Sequence, residues 1–195
     1  MKIILLNGPP KSGKSTVSRL IEVIRRDVIP MSFAAPLRKM AERLFLLTDE
    51  DLTLYKDSGL CGFDEAFSDA LSRFTPRGLL IALSENFAKP TFGKDFFGRL
   101  MASKIGRRLD LENDPLFVID DYGFIEEAQV LVARFGRGAV KHVHVLRLGT
   151  DFENDSRSYW RFDVKGPDYV LRNNGTLDDL RMSVEEMLRC FGAMP

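Results

Sequence analysis

The chain has 195 residues, 45% hydrophobic and 29% charged, and its 28 Lys and Arg balance 28 Asp and Glu for a formal net charge of +0. This composition excludes a disordered segment and a whole-molecule field that draws the protein to nucleic acid or anionic membrane. The length suits one domain carrying a small insertion. Cys61 and Cys190 lie far apart with no His or Cys at metal spacing, so neither a disulfide framework nor a zinc site is expected. The apolar stretch near the N-terminus is too short for a signal peptide, and a reducing cytoplasm is the expected location.

In chain order, Lys2 to Asn7 reads as a buried strand that stops at Gly8. Ser15 to Arg26 follows with apolar residues at Val17, Leu20, Ile21 and Ile24, a helical spacing, and Ala35 to Leu47 repeats it. Phe63 to Leu71, Arg77 to Phe87 and Asp95 to Leu109 are further helices, with turns at Asp57-Ser-Gly59 and Lys89-Pro90. About Thr48 to Gly106 offers no strand and reads as a helical insertion. Leu116 to Ile119, Val140 to Leu148 and Tyr169 to Leu171 are short strands, interleaved with helices at Glu126 to Phe135 and Leu177 to Phe191. Strands alternating with helices predict a parallel sheet covered on both faces. Gly149 to Pro167, dense in Asp, Arg, Ser and Asn, is too polar for a core element and reads as a mobile flap.

The junction after the first strand carries the chemistry. Residues 8–15 read GPPKSGKS, the pattern G-x-x-x-x-G-K-[ST] of a backbone loop that wraps a polyphosphate. Gly8 permits the turn, Gly13 lets the backbone come close to phosphate, and the next helix aims its free N–H groups at the same place. Lys14 reaches the β- and γ-phosphates and Ser15 holds Mg²⁺. Lys11, Ser12 and Thr16 complete the lining, with Lys11 either a third charge near phosphate or solvated. Such a site needs a carboxylate from a neighbouring strand, and Leu116-Phe-Val-Ile is followed by Asp120 and Asp121; one of them organises the metal, or both cap the next helix. Switches, motors and kinases share this loop. The short chain and the lack of an N-K-x-D run leave a small kinase with ATP as donor. His142 and His144 read as structural residues on one strand face.

On these segments the chain resembles the bacteriophage-type deoxynucleoside monophosphate kinases, within the nucleoside monophosphate kinase group of P-loop proteins. The likeness runs from the glycine loop through Ser32-Phe-Ala-Ala-Pro-Leu37, Thr75-Pro-Arg77, Ser84-Glu85, Lys89-Pro-Thr-Phe-Gly-Lys-Asp95, Val118-Ile-Asp-Asp-Tyr-Gly-Phe124 to Glu127, and Asn173-Asn-Gly-Thr-Leu177. It implies a P-loop three-layer α/β/α fold with a mainly parallel central sheet, a helical acceptor-binding insertion over 48–106 and a short lid over 149–167. The implied reaction is transfer of the γ-phosphoryl of ATP, with Mg²⁺, to a deoxynucleoside 5′-monophosphate.

Residue by residue, the resemblance implies that Ser32, Phe33, Ala34 and Arg38 border the monophosphate pocket and that Arg77 grips the acceptor phosphate. Lys89 and Arg161 are further substrate residues, Asn174 and Gly175 cradle adenine, and Asp121 joins Lys14, Arg77 and Arg157 in catalysis. The family's Asp-x-Arg-Phe reads Asp121-Tyr-Gly123-Phe124 here, so its arginine is missing. Either Arg157, Arg161 or Arg147 substitutes for it, or the acceptor is handled differently. A kinase of another small metabolite, such as a sugar acid or phosphomevalonate, and a non-catalytic ATP-binding module whose flap recruits a partner remain alternatives. The partners implied are a small-molecule substrate and a second copy in a homodimer, with no nucleic acid and no membrane.

Overall fold

The computed structural model describes residues 1–54, 75–111, 114–153, 155, 157–159 and 166–194. By its contacts the chain forms two compact units, one of Met1–Phe33 with Phe97–Pro195 and one of Ala34–Phe96. The sequence places the insertion later, at about 48 to 106.

The first unit is built on five parallel strands, β1 (Lys2–Asn7), β2 (Val28–Met31), β3 (Leu116–Ile119), β4 (Val140–Leu146) and β5 (Tyr169–Arg172), in the order β2-β3-β1-β4-β5. β1 is central: Leu5 stands opposite Ile119 of β3 on one side and His142 of β4 on the other. Ile3 to Leu6 are fully buried. A parallel strand covered on both faces reads as an unbroken apolar run, which is why KIILLN shows no alternation.

Ile4, Leu6, Val118, Val143 and Val145 join one core with Val17 and Ile21 of α1 (Lys14–Ile24) and Leu180, Val184 and Met187 of α8 (Leu177–Cys190). α6 (Phe96–Leu109) and α7 (Ile125–Phe135) are the helices flanking β3 in the chain. They pack so closely that a Cβ on Gly98 would come within 2.7 Å of the Glu127 carbonyl oxygen. Consecutive strands leave β1 in opposite directions, so the strand order reverses at its C-terminal end, where parallel α/β sheets bind ligands.

β2 is the strand that periodicity does not reveal. It has only four residues, one of them Pro30, and it forms the sheet's edge. Proline is tolerated in a strand at such an edge, where its missing N–H faces away from the ladder.

The second unit, described by itself, is helical among its described residues: α2 (Ala35–Phe45), α3 (Asp49–Leu54), α4 (Pro76–Ala82), a π-helical turn (Leu83–Ala88) and α5 (Lys89–Phe92). Ala41, Leu47, Leu52 and Leu79 form its small core. Thr48 and Asp51 cap α3 reciprocally, a short helix missed by apolar spacing because its first turn is all acidic. Lys89-Pro90, expected as a turn, is helical. The ring of Pro90 conflicts with the carbonyl four residues earlier, and the chain widens there: the Lys89 N–H bonds to Ser84 O, a five-residue step. The expected helix Phe63 to Leu71, the turn Asp57 to Gly59 and Cys61 lie outside the described residues. No helix among the described residues is long and apolar enough to cross a membrane.

Candidate functional site

The loop after β1 is held close to the sheet. A Cβ on Gly8 would lie 2.5 Å from the Val145 carbonyl oxygen of β4, so only glycine lets the chain turn here. Gly13 has φ 100° and caps α1 in the left-handed conformation, and a side chain there would also overlap the amide of Asn173. That amide, from the turn after β5, donates to Ser12 O at 2.9 Å and ties the loop to the far side of the sheet. Ser12 is fully buried, and its hydroxyl has no hydrogen-bond partner among the described residues. Lys14 folds back over the loop, its Nζ donating to Gly8 O at 2.7 Å and Pro9 O at 2.8 Å. Lys11 is exposed at φ 63°, and Thr16 is exposed on α1.

Removing the Asn173 amide tests how far this tie shapes the loop. Asn173→Ala is expected to weaken ATP binding roughly ten-fold, the worth of about one net hydrogen bond. Calorimetric titration with a non-hydrolysable ATP analogue measures it, and an unchanged affinity contradicts the tie.

The two carboxylates after β3 divide their work. Ser15 and Lys14 act on Asp120 to favour its charged form; burial first, and the like charge of Asp121 second, nevertheless raise its pKa above the ordinary carboxylate value. Asp121 turns to the end of β2, where its Oδ2 accepts from Ser32 Oγ at 2.7 Å and its Oδ1 from Phe33 N at 2.9 Å. Ser32 and Phe33 are thus partners of Asp121, and Phe33 is buried. Magnesium typically takes one or two carboxylates and completes its shell with phosphate and water. Ser15 and Asp120 fit that demand: a hydroxyl and a carboxylate that act on one another beside the loop. No group of three His, Cys, Asp or Glu placed to hold a metal ion occurs among the described residues, and a metal shared with a nucleotide requires none.

Of the flap arginines, Arg157 is brought to this edge. Its Nε and Nη2 donate to the two oxygens of Asp155 at 2.8 and 2.6 Å, and Asp121 and Glu127 add to its field. Hydrogen bonding to Asp155 pushes its pKa up against the burial that opposes it. Its stem lies on Gly123. Arg147 is exposed and reaches Lys11 O at 3.4 Å, while Arg161 lies outside the described residues.

The flap's described residues are less detached than its polarity suggests. Asn7, fully buried at the end of β1, donates through Nδ2 to Ser158 O at 3.1 Å. Tyr159 packs on His144 with ring centroids 4.8 Å apart. His142 and His144 are buried in a row of rings that runs Tyr122, His142, His144, Tyr159, Phe152. Burial, and then His144, push the His142 pKa down to about 3, so it is neutral at ordinary pH.

The residues expected at the acceptor divide between the units. Ala34, Arg38, Arg77 and Lys89 belong to the second. Ala34 caps α2, and Arg38 pairs with Asp49 at 3.2 Å. Thr75 caps α4 by accepting from Gly78 N at 3.0 Å, Pro76 opens the helix and Arg77 follows, half-buried. The helix start accounts for Thr75 and Pro76. Lys89 is nearly buried and pairs with Glu85 at 2.6 Å. After β5, Asn174 accepts from Leu148 N at 2.8 Å, a Cβ on Gly175 would press on Asp179, and Thr176 and Asp179 form a capping box on α8. Asn7, Asp155 and Asn173 escaped sequence reading, because single polar residues beside a strand or in a loop carry no pattern.

No protein-family model matches the chain, and no curated protein matches it. Solved structures do. An unliganded sugar kinase from Janibacter aligns with TM-score 0.54 at 10% identity, over 99% of this chain and 95% of that one. The APS kinase of Mycobacterium tuberculosis in complex with AMPPNP and APS aligns at 0.48 and 15% identity, over 96% and 97% of the two chains. A gluconokinase from Sinorhizobium meliloti aligns at 0.41 and 14%, over 98% and 91%. The chain has the three-layer α/β fold of the Janibacter sugar kinase structure, with a parallel five-stranded sheet between helices.

Proposed function

We propose that the chain is an ATP-dependent phosphotransferase whose acceptor is a deoxynucleoside 5′-monophosphate. The observation that carries this reading is the meeting of the Gly8–Ser15 loop, the Lys14 ammonium and the Ser15–Asp120 pair where the strand order reverses. The carbonyl oxygens of Gly8 and Pro9 hold Lys14 in the region that phosphate oxygens would occupy. Magnesium, when bound, neutralises charge on the β- and γ-phosphates. Ser15 and Asp120 place it; Lys14 and the loop amides hold the donor; Arg77 seats the acceptor and Arg157 faces the charge that moves. An acceptor phosphate oxygen forms its bond to the γ-phosphorus as the bond to the β-phosphate bridging oxygen breaks, and ADP leaves. This chemistry needs positioning and charge neutralisation, with no covalent protein intermediate. The monophosphate acceptor rests on the resemblance of the FAAPL and TPR segments.

Incubation with ATP, magnesium and each monophosphate in turn, with a sugar acid in parallel, tests the reading. A diphosphate is the expected product. A phosphorylated sugar acid instead, or intact ATP binding without any product, overturns the acceptor. Arg77→Ala is expected to leave ATP affinity within about two-fold and to lower kcat/KM for the monophosphate roughly 10²-fold, as two charge-assisted hydrogen bonds are lost. Steady-state kinetics with the acceptor varied measures this.

A further inference from the structure

Gly123 is buried, yet its backbone does not require glycine, since its φ lies outside the left-handed region. What excludes a side chain is Arg157. A Cβ at 123 would overlap Cδ and Cγ of Arg157 and stand 3.1 Å from its Cβ. The obstruction is the stem of the side chain, so swinging the guanidinium alone does not relieve it; only a turn of the whole side chain away from 123 does.

The backbone at 157 is also pinned. Arg157 N donates to Asp155 Oδ1 at 3.0 Å, Asn7 holds Ser158 O at 3.1 Å, and Tyr159 OH reaches Val145 O at 3.4 Å. The Arg157 side chain is 22% exposed and that of its partner Asp155 9%. The result is a largely buried arginine laid on bare backbone two residues beyond Asp121, at the edge where Asp120, Asp121 and Glu127 concentrate negative charge.

We propose that Gly123 is a positioning residue, whose missing side chain is the slot that seats Arg157, so that a residue from the flap supplies the cation beside the transferred group. The seating stands on the packing alone; its catalytic consequence rests on the phosphotransfer reading. Asp155 presents two oxygens to the guanidinium, the same fork that a phosphate presents. It therefore holds the arginine in a conformation ready for exchange onto phosphate.

The experiment is a double-mutant cycle on the full chain with Gly123→Ala, Arg157→Ala and both together. It is read by thermal unfolding, by the fluorescence of the single tryptophan, Trp160, which follows Arg157 by three residues, and by phosphotransfer. Gly123→Ala alone is expected to lower Tm by about 3 °C or more and to shift Trp160 emission as Arg157→Ala does. In the Arg157→Ala background the same change is expected to be neutral or to raise Tm, because the slot is vacant and alanine narrows the unfolded ensemble. Transfer is expected to fall roughly ten-fold or more in Gly123→Ala, with ATP affinity within about two-fold, and no further in the double variant than in Arg157→Ala.

Equal effects of Gly123→Ala on Tm in both backgrounds, or none in either, overturn the seating. An intact transfer rate in Gly123→Ala overturns the positioning role even where the Tm cycle is non-additive. If Gly123→Ala does not fold, a cooperative transition regained in the double variant supports the seating, and its absence overturns it. If the wild-type chain phosphorylates no acceptor, the phosphotransfer reading fails while Tm and fluorescence still decide the seating.

Discussion

Asp120→Asn is expected to make the protein more stable at pH 7 and at least about 10²-fold slower. The folded pKa of Asp120 is raised, chiefly by burial and then by Asp121. A carboxyl raised in this way binds its proton more tightly in the folded than in the unfolded chain. Its stabilising contribution is present at low pH and is lost as pH rises through the folded value. Near neutrality the ionised group is a liability that asparagine removes. The Tm of the variant is expected to exceed that of the wild type at pH 7 without magnesium. The two should converge as pH falls into the ordinary carboxylate range.

Magnesium and ATP reverse the order, since a bound cation favours the ionised carboxylate and asparagine brings no charge. The loss of rate follows from a misplaced metal, since errors of about 1 Å in such geometry cost roughly 10²-fold. Thermal unfolding across pH, with and without Mg·ATP, and initial-rate assays check both halves. A variant less stable than wild type at pH 7 without metal contradicts the burial argument, and one with wild-type rate removes Asp120 from the site.

The second large effect lies on the acid side. His142 has no exposed surface and its pKa is depressed to about 3, by burial, then by His144; Asp168 pulls it up and Arg137 down by smaller amounts. Here the unfolded chain binds the extra proton. Stability is therefore present above the unfolded value of about 6.5 and is lost as pH falls from there toward about 3. The slope approaches about 1.4 kcal/mol per pH unit for one proton, so a few kcal/mol disappear across the window. His142→Phe, which suits a site between Tyr122 and His144, is expected to flatten that part of the profile while leaving neutral stability within about 1 kcal/mol. Urea unfolding at a series of pH values provides the comparison; parallel losses in both proteins place the acid sensitivity elsewhere.

These residues differ in how openly the chain declares them. The passage from β1 through the glycine loop into α1 is legible because its causes are local: an apolar run, two glycines and a helical spacing within two dozen residues. The helices of the second unit are legible for the same reason wherever an apolar stripe marks them. β2 is hidden by its length and by Pro30, and α3 is marked by its cap rather than by a stripe. The site's finer organisation depends on long-range contact. Asn173 meets Ser12 across a separation of 161 residues, and Ser32 meets Asp121 across 89. Nothing in Asp120-Asp121 tells which carboxylate turns toward Ser15. A glycine at 123 reads as a loss until the stem of Arg157 is seen lying on it.

Pro30 has a consequence for how copies of this chain can associate. With no N–H to offer, the outer rim of β2 lacks a donor near its middle, and the exposed pyrrolidine ring blocks the approach of a neighbouring backbone. Two molecules cannot zip their sheets into one continuous ten-stranded array across that rim. The β2 rim itself is protected against templated fibre growth.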